Sequence, residues 1–239
     1  MSYCVVIPAR NEERTIGPLV GSLRRLGFRV IVVDDGSTDD TLAQAVDAGA
    51  SVIPHHERHG IGPSTIEGWN LAYLYADCDG VLQMDAGGSH SPGDALAMIA
   101  PLSWGADVVL GTRFTWGGAY LGGRWWRRLG SRLITVACNA VQRGAHWSDW
   151  TSGYRAFSPR AIRVLQRPHY STTGHTWHME VLAYAGEKGL RIEQMPIIYT
   201  AGESSFSWRT AVDALRIWLE IMHHRRPVLA PDPARGRAR

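Results

Sequence analysis

Short apolar runs recur along the first half of the chain, and each stops abruptly at polar, turn-forming residues. Val5-Val6-Ile7 leads into Pro8-Ala9-Arg10-Asn11-Glu12-Glu13, and Val30-Ile31-Val32-Val33 leads into Asp34-Asp35-Gly36-Ser37-Thr38-Asp39-Asp40. Continuous runs this short suit strands buried on both faces. Between them Ile16, Leu19, Val20, Leu23 and Leu26 recur at helical spacing, which predicts a helix over 15–26 flanked by strands over 3–8 and 28–33. The same alternation continues with a helix opening at Thr38 and running over 42–48, where Asp39 and Asp40 favour the helix dipole. A strand over 50–54, a loop over 55–62, a helix over 65–76 and a strand over 80–84 come next. A loop over 85–92, a helical stretch over 94–99 and a strand over 107–110 follow. Strands alternating with helices predict an α/β fold, a Rossmann-like, mostly parallel sheet with helices on both faces.

From Thr112 the pattern degrades. Residues 117–123 are glycine-rich, and 125–141 read as a basic-aromatic helix. A turn and short strand are expected over 151–157, a helix over 178–187, a strand over 191–199 and a long amphipathic final helix over 207–224. The tail, 225–239, is rich in Pro, Arg and Ala and reads as disordered. There is no internal repeat.

Composition changes this picture little. The 239 residues, 45% apolar and 20% charged, are enough for one sizeable core. A formal net charge of +3 is mild and gives no reason to expect nucleic acid as a partner. Lys188 is the only lysine, so the positive charge is almost all arginine, whose planar fork suits phosphate oxygens. Cys4, Cys78 and Cys138 have neither metal-ligand spacing nor the look of a disulfide framework, and a reducing cytoplasm is the expected home. With a strand expected almost at the N-terminus no signal peptide is expected, and no apolar run is long enough to span a bilayer.

The chemistry collects at the strand ends. In open α/β sheets the ligand crevice lies beyond the C-terminal ends of the strands. Asp34 and Asp35 there suit hydrogen bonds to a base or ribose, although a turn plus helix cap would use the same residues. Asp85 follows the fourth strand, and His90 lies five residues on.

Taken in order, IPARNEE, VVDDGSTDDT, QMDAGGSHSP, VLGTRF, WWRRLGSR, DWTSGYRAF and PIIYTAGESSFS resemble family 2 glycosyltransferases of the GT-A fold. Within that group the chain is most similar to dolichol- or polyprenol-phosphate mannose synthases, over roughly residues 3–220. The resemblance implies a single GT-A domain over 1–224, with a nucleotide-sugar half to about 112 and an acceptor half from about 113. It implies an inverting glycosyltransferase that moves mannose from GDP-mannose to a polyprenyl phosphate. Pro8, Arg10, Asn11, Glu12, Asp34, Asp35, Gly36, Asp85 and Ala86 are then expected to bind the nucleotide-sugar. Other expected partners are a membrane surface, met peripherally through the last helix at the cytoplasmic face, and a second copy of the chain.

The sequence departs from the family at its metal motif. Asp-x-Asp there holds a divalent cation on the diphosphate, whereas this chain reads Asp85-Ala86-Gly87. Three readings stay open: Mg²⁺ or Mn²⁺ held by Asp85 with help from His90, arginines in place of the metal, or a nucleotide-sugar-binding protein without turnover.

The acceptor half carries Arg113 and the cluster Arg124, Arg127, Arg128 and Arg132, whose nearest family equivalents hold the lipid phosphate. The late family motif Gly-Glu-Ser-Lys reads Gly202-Glu203-Ser204-Ser205, so a cation is missing, and a natural-product or small hydroxyl acceptor is the alternative. A hydroxyl needs a general base, for which Asp149 is the candidate, unless it merely pairs with Arg155. Trp116, Trp125, Trp126, Trp147 and Trp150 crowd this half, where they could line a groove or pack a core.

Overall fold

The computed structural model describes residues 2–74, 78–142, 146–166 and 170–201. The expected final helix, the Gly202–Ser205 motif and the tail lie outside the described residues.

The elements are β1 (Tyr3–Ala9), α1 (Ile16–Arg25), β2 (Arg29–Asp34), α2 (Thr41–Asp47), β3 (Ser51–Pro54), α3 (Ile61–Leu74), β4 (Gly80–Gln83) and α4 (Ala95–Ile99). Then come β5 (Val108–Thr112), β6 (Ala119–Leu121), α5 (Trp125–Val141), β7 (Arg155–Phe157), α6 (Pro159–Leu165), α7 (Trp177–Glu187), β8 (Ile192–Pro196) and β9 (Ile198–Thr200). A seven-stranded sheet has the order β3-β2-β1-β4-β7-β5-β8. Only β7 runs antiparallel to its neighbours β4 and β5.

Alternation along β1 explains the two layers. Val5 and Ile7 join one apolar cluster, with α1 and α4, while Cys4 and Val6 join the other, with α3, α6 and α7. The α1 stripe behaves as its spacing predicts: Ile16, Leu19, Val20 and Leu23 are buried, and only Leu26 is half-exposed. α3 lies so close on β1 that a Cβ on Gly68 would come within 2.3 Å of Val6 Cγ1. Glycine is the only residue that permits this approach.

Three differences from the sequence reading have local causes. The expected strand over 191–199 breaks in two at Ile197, between β8 and β9. Ile197 turns inward, donating its N–H to Thr112 O (3.0 Å) and accepting from Ala119 N (3.0 Å). β9 thereby leaves the main sheet and pairs with β6 in a small second sheet. Cys4 and Cys78 are disulfide-bonded, Cα atoms 5.9 Å apart, where no disulfide was expected; Cys138 is free and buried. α6, not foreseen, is capped by Ser158, whose hydroxyl accepts from Ala161 N.

After β3 the chain crosses over β2 and β1 to place β4 on the far side of β1. The sheet order reverses at β1, and the crevice of such sheets opens beside that reversal. Among the described residues no helix is long and apolar enough to cross a membrane.

Candidate active site

β1, β2 and β4 are parallel neighbours, so the residues that follow them emerge at one edge of the sheet. Asn11 takes a left-handed backbone (φ 55°) and ties the first two tips together. It accepts from Thr38 N (2.9 Å) and donates its own N–H to Ser37 Oγ (3.0 Å). Pro8 is a buried strand residue paired with Val33, Ala86 packs in the core, and Arg10 is exposed. Gly36 (φ +70°) backs onto the Glu57 backbone, where a Cβ would come within 2.9 Å. It shapes the turn and has no room for another residue.

Asp34 and Asp35 are both buried and already engaged. Asp34 Oδ1 accepts the Ser37 hydroxyl. Asp35 accepts from His59 N (2.7 Å), Gly60 N (2.9 Å) and His55 Nδ1 (3.2 Å). Burial alone would raise its pKa, but these bonds hold it below the usual carboxylate range. Asp35 therefore orders the loop over 55–60, and any part it takes in nucleoside binding is shared with that task.

Asp85 is the freer carboxylate. Its backbone N–H donates to His90 Nδ1 (3.2 Å), and its side chain is 28% exposed. His90 is corrected as a cation ligand on this geometry. The nitrogen nearest Asp85 has its lone pair taken by that N–H, the ring is buried and stacked on Tyr154 (4.7 Å), and burial holds its pKa down.

The missing carboxylate at position 87 has another carboxylate beside it. A Cβ on Gly87 would lie 3.2 Å from Glu12 Oε1, so the Glu12 carboxylate borders the space an aspartate would fill. Burial and the Asp85 charge raise the Glu12 pKa, against the Thr15 hydroxyl, which lowers it. Asp85 and Glu12 thus form a pair of anionic oxygens suited to a hard divalent cation, which commonly takes one or two carboxylates and keeps its waters.

His178, missed in the sequence, closes the other wall. A Cβ on Gly153 would lie 3.0 Å from both Asp85 Oδ1 and His178 Nε2. His178 Nε2 is buried without a hydrogen-bond partner. Arg155, also buried, holds this wall by donating to Ser152 O (2.9 Å), Trp150 O (3.0 Å) and His178 O (2.6 Å). Burial brings its pKa down to about 9. Burial, then the Arg155 charge, holds His178 well below its ordinary 6.5. Below about pH 6.5 the unfolded chain takes up a proton at this position that the folded chain refuses. Stability should therefore fall with pH there, by at most about 1.4 kcal/mol per pH unit for the one proton. Urea melts between pH 7.5 and 5 should show a shallower acid limb in His178→Gln.

Asp149 is corrected as a general base. It is fully buried, and its oxygens accept from Arg113 Nε (2.6 Å), Arg113 Nη2 (2.7 Å) and Thr151 N (3.1 Å). No oxygen is left for an acceptor hydroxyl, and its partner is Arg113 rather than Arg155. Arg113 commits part of its fork to this pair: Nε and Nη2 hold Asp149, and Nη2 also donates to Thr151. Its guanidinium packs among the rings of Phe114, Tyr120 and Tyr199.

The remaining arginines divide. Arg124, Arg128 and Arg132 line a cavity of about 410 Å³ with Tyr120, Trp125 and Leu129. Arg127 does not line it and lies over the Trp126 ring. Rings join the cavity to the carboxylates: Tyr120 packs on Tyr199 (5.2 Å), and Tyr199 packs on His90 (5.6 Å). Along α5, Trp125, Leu129, Leu133 and Val136 form an exposed apolar row beside these arginines.

A mostly parallel sheet with carboxylates at its switch point, and a second half appended at β4, is the GT-A architecture of glycosyltransferases. The family model Glycosyl transferase family 2 matches residues 4–178, and the chain belongs to that family and is a glycosyltransferase. It is 28% identical over 217 residues to a polyprenol monophosphomannose synthase of Mycolicibacterium smegmatis, covering 85% of this chain and 79% of that protein. It is 29% identical over 218 residues to a UDP-N-acetylglucosamine–dolichyl-phosphate N-acetylglucosaminyltransferase of Methanococcus voltae, covering 82% and 85%. Among solved structures, glucosyl-3-phosphoglycerate synthase of Mycobacterium tuberculosis with UDP superposes with a TM-score of 0.71 at 22% identity, over 97% of this chain and 82% of that one.

Proposed function

We propose that this enzyme transfers a sugar, mannose, from GDP-mannose to a polyprenyl phosphate with inversion at the anomeric carbon. The observation that carries the reading is the continuity of two unlike surfaces. Carboxylates at the switch point lead through His90, Tyr199 and Tyr120 into a cavity walled by three arginines, with an exposed apolar row alongside. Arginines suit a phosphate head, and apolar side chains beside them suit a hydrocarbon tail or a membrane surface. Both relatives carry a polyprenyl-type acceptor in their names but differ in the sugar, so the acceptor is the better supported half and mannose rests on the first relative and the family resemblance.

The chemistry fits an acceptor that brings its own charge. An oxygen of the acceptor phosphate, ionised at neutral pH, attacks the anomeric carbon; the new C1–O bond forms as the bond to the diphosphate breaks, and the nucleoside diphosphate leaves. No base is needed, which agrees with the saturation of Asp149 and disfavours a hydroxyl acceptor. Arg124, Arg128 and Arg132 hold the phosphate in line. Asp85 and Glu12 are the residues to hold Mg²⁺ or Mn²⁺, which when bound neutralises charge on the departing diphosphate.

The test is steady-state kinetics of Arg124→Glu/Arg128→Glu with a short polyprenyl phosphate. The KM for the acceptor should rise about tenfold or more, the scale of losing charge-assisted hydrogen bonds. Donor affinity should stay unchanged. An equal loss of donor binding, with acceptor KM unmoved, would remove the acceptor assignment.

A further inference from the structure

At the start of the loop that joins β3 to α3, one histidine touches two carboxylates. His55 Nδ1 is 3.2 Å from Asp35 Oδ1, and His55 Nε2 is 2.7 Å from Glu67 Oε2. Asp35 accepts two backbone amides, so it is an anion and Nδ1 must carry the proton that faces it. A neutral imidazole has one N–H only, which leaves a lone pair on Nε2. That lone pair would point at a carboxylate oxygen at hydrogen-bond distance, so the contact calls for a cation there, either a second proton on His55 or a metal ion.

A second imidazole stands ready beside it. The His59 ring stacks on His55 with centroids 4.2 Å apart. One ligand atom from each of His55, His59 and Glu67 lies within 4.8 Å of the other two. The Nδ1–H bond to Asp35 is the outer contact by which metal-binding histidines are usually fixed in tautomer and orientation.

We propose that His55, His59 and Glu67 form a site for a borderline transition metal, with Zn²⁺ as the best fit and Asp35 as the outer partner of His55. Two imidazoles and one carboxylate match zinc, not the all-oxygen preference of Mg²⁺. Metal–ligand bonds of about 2.0–2.2 Å need Nε2 and Oε2 to part by only about half an ångström. The Glu67 side chain, 44% exposed, and the exposed His59 have room to move. The bound ion staples the loop over 55–60, whose amides hold Asp35, onto α3. It shares no ligand with the Asp85–Glu12 pair, so chelator sensitivity of the enzyme does not by itself report on that pair.

The experiment is calorimetric titration of chelator-treated protein with Zn²⁺ under saturating Mg²⁺, paralleled by Co²⁺ titration followed by visible absorption. One equivalent should bind, and Co²⁺ should give the intense bands of a four-coordinate site. His59→Ala and Glu67→Gln should each weaken binding about tenfold or more, whereas Asp85→Ala should bind as the parent does. No Zn²⁺ binding, meaning that a doubly protonated His55 accounts for the contacts, would overturn the proposal. So would binding that His59→Ala leaves unchanged. His59 is exposed, so that variant decides the matter even if Glu67→Gln folds poorly.

Discussion

Asp85→Ala is expected to lower sugar transfer about 10²–10³-fold, the scale of removing one electrostatic contributor at a reacting centre. The side chain is partly exposed, and the bond that fixes its loop comes from the backbone N–H, so the fold should survive the change. Glu12→Gln should follow in the same direction, since it loses the charge that borders Gly87. The readouts are kcat/KM and Mn²⁺ binding by electron paramagnetic resonance. Both should fall together in each variant. An Asp85→Ala enzyme with near-parental turnover and Mn²⁺ affinity would show that the cation, if used, sits elsewhere.

Asp149→Ala should cost about 3–5 kcal/mol of stability, because it leaves the Arg113 guanidinium buried without its anion. The pair is 7% and 0% exposed, and two short bonds join it. The double variant Arg113→Met/Asp149→Leu should recover much of that loss, since apolar residues of similar volume replace both charges. Urea denaturation measures both. A single variant that loses under about 1 kcal/mol would mean that Asp149 is not the structural partner the geometry makes it, and would reopen a chemical role for it.

These roles were unevenly legible in the sequence. β1, β2 and β4 could be read because fully buried strands leave uninterrupted apolar runs, and α1 because its buried face repeats at helical spacing. The strand tips could be read as a site because apolar runs end there in carboxylates. What could not be read depends on partners distant in sequence. Asp149 is a plausible base in isolation and becomes a structural anion only when β5 delivers Arg113 beside it. His90 looks like a ligand until its Nδ1 meets the Asp85 N–H. Gly87 looks like a loss until Glu12 is seen against it, and the exit of β9 from the sheet depends on Ile197 finding the core. The doublet His55-His56 and His59 did stand in the loop over 55–62, but only α3 brings Glu67 to them.

The most direct measurement offers radiolabelled GDP- and UDP-sugars to the purified protein with a short polyprenyl phosphate, with and without Mg²⁺ or Mn²⁺, and follows label into the lipid fraction. Label from GDP-mannose should appear as a mannosyl polyprenyl phosphate and vanish in Asp85→Ala. Label that enters no lipid from any donor, while a hydroxyl acceptor or none at all consumes the nucleotide-sugar, would contradict the account.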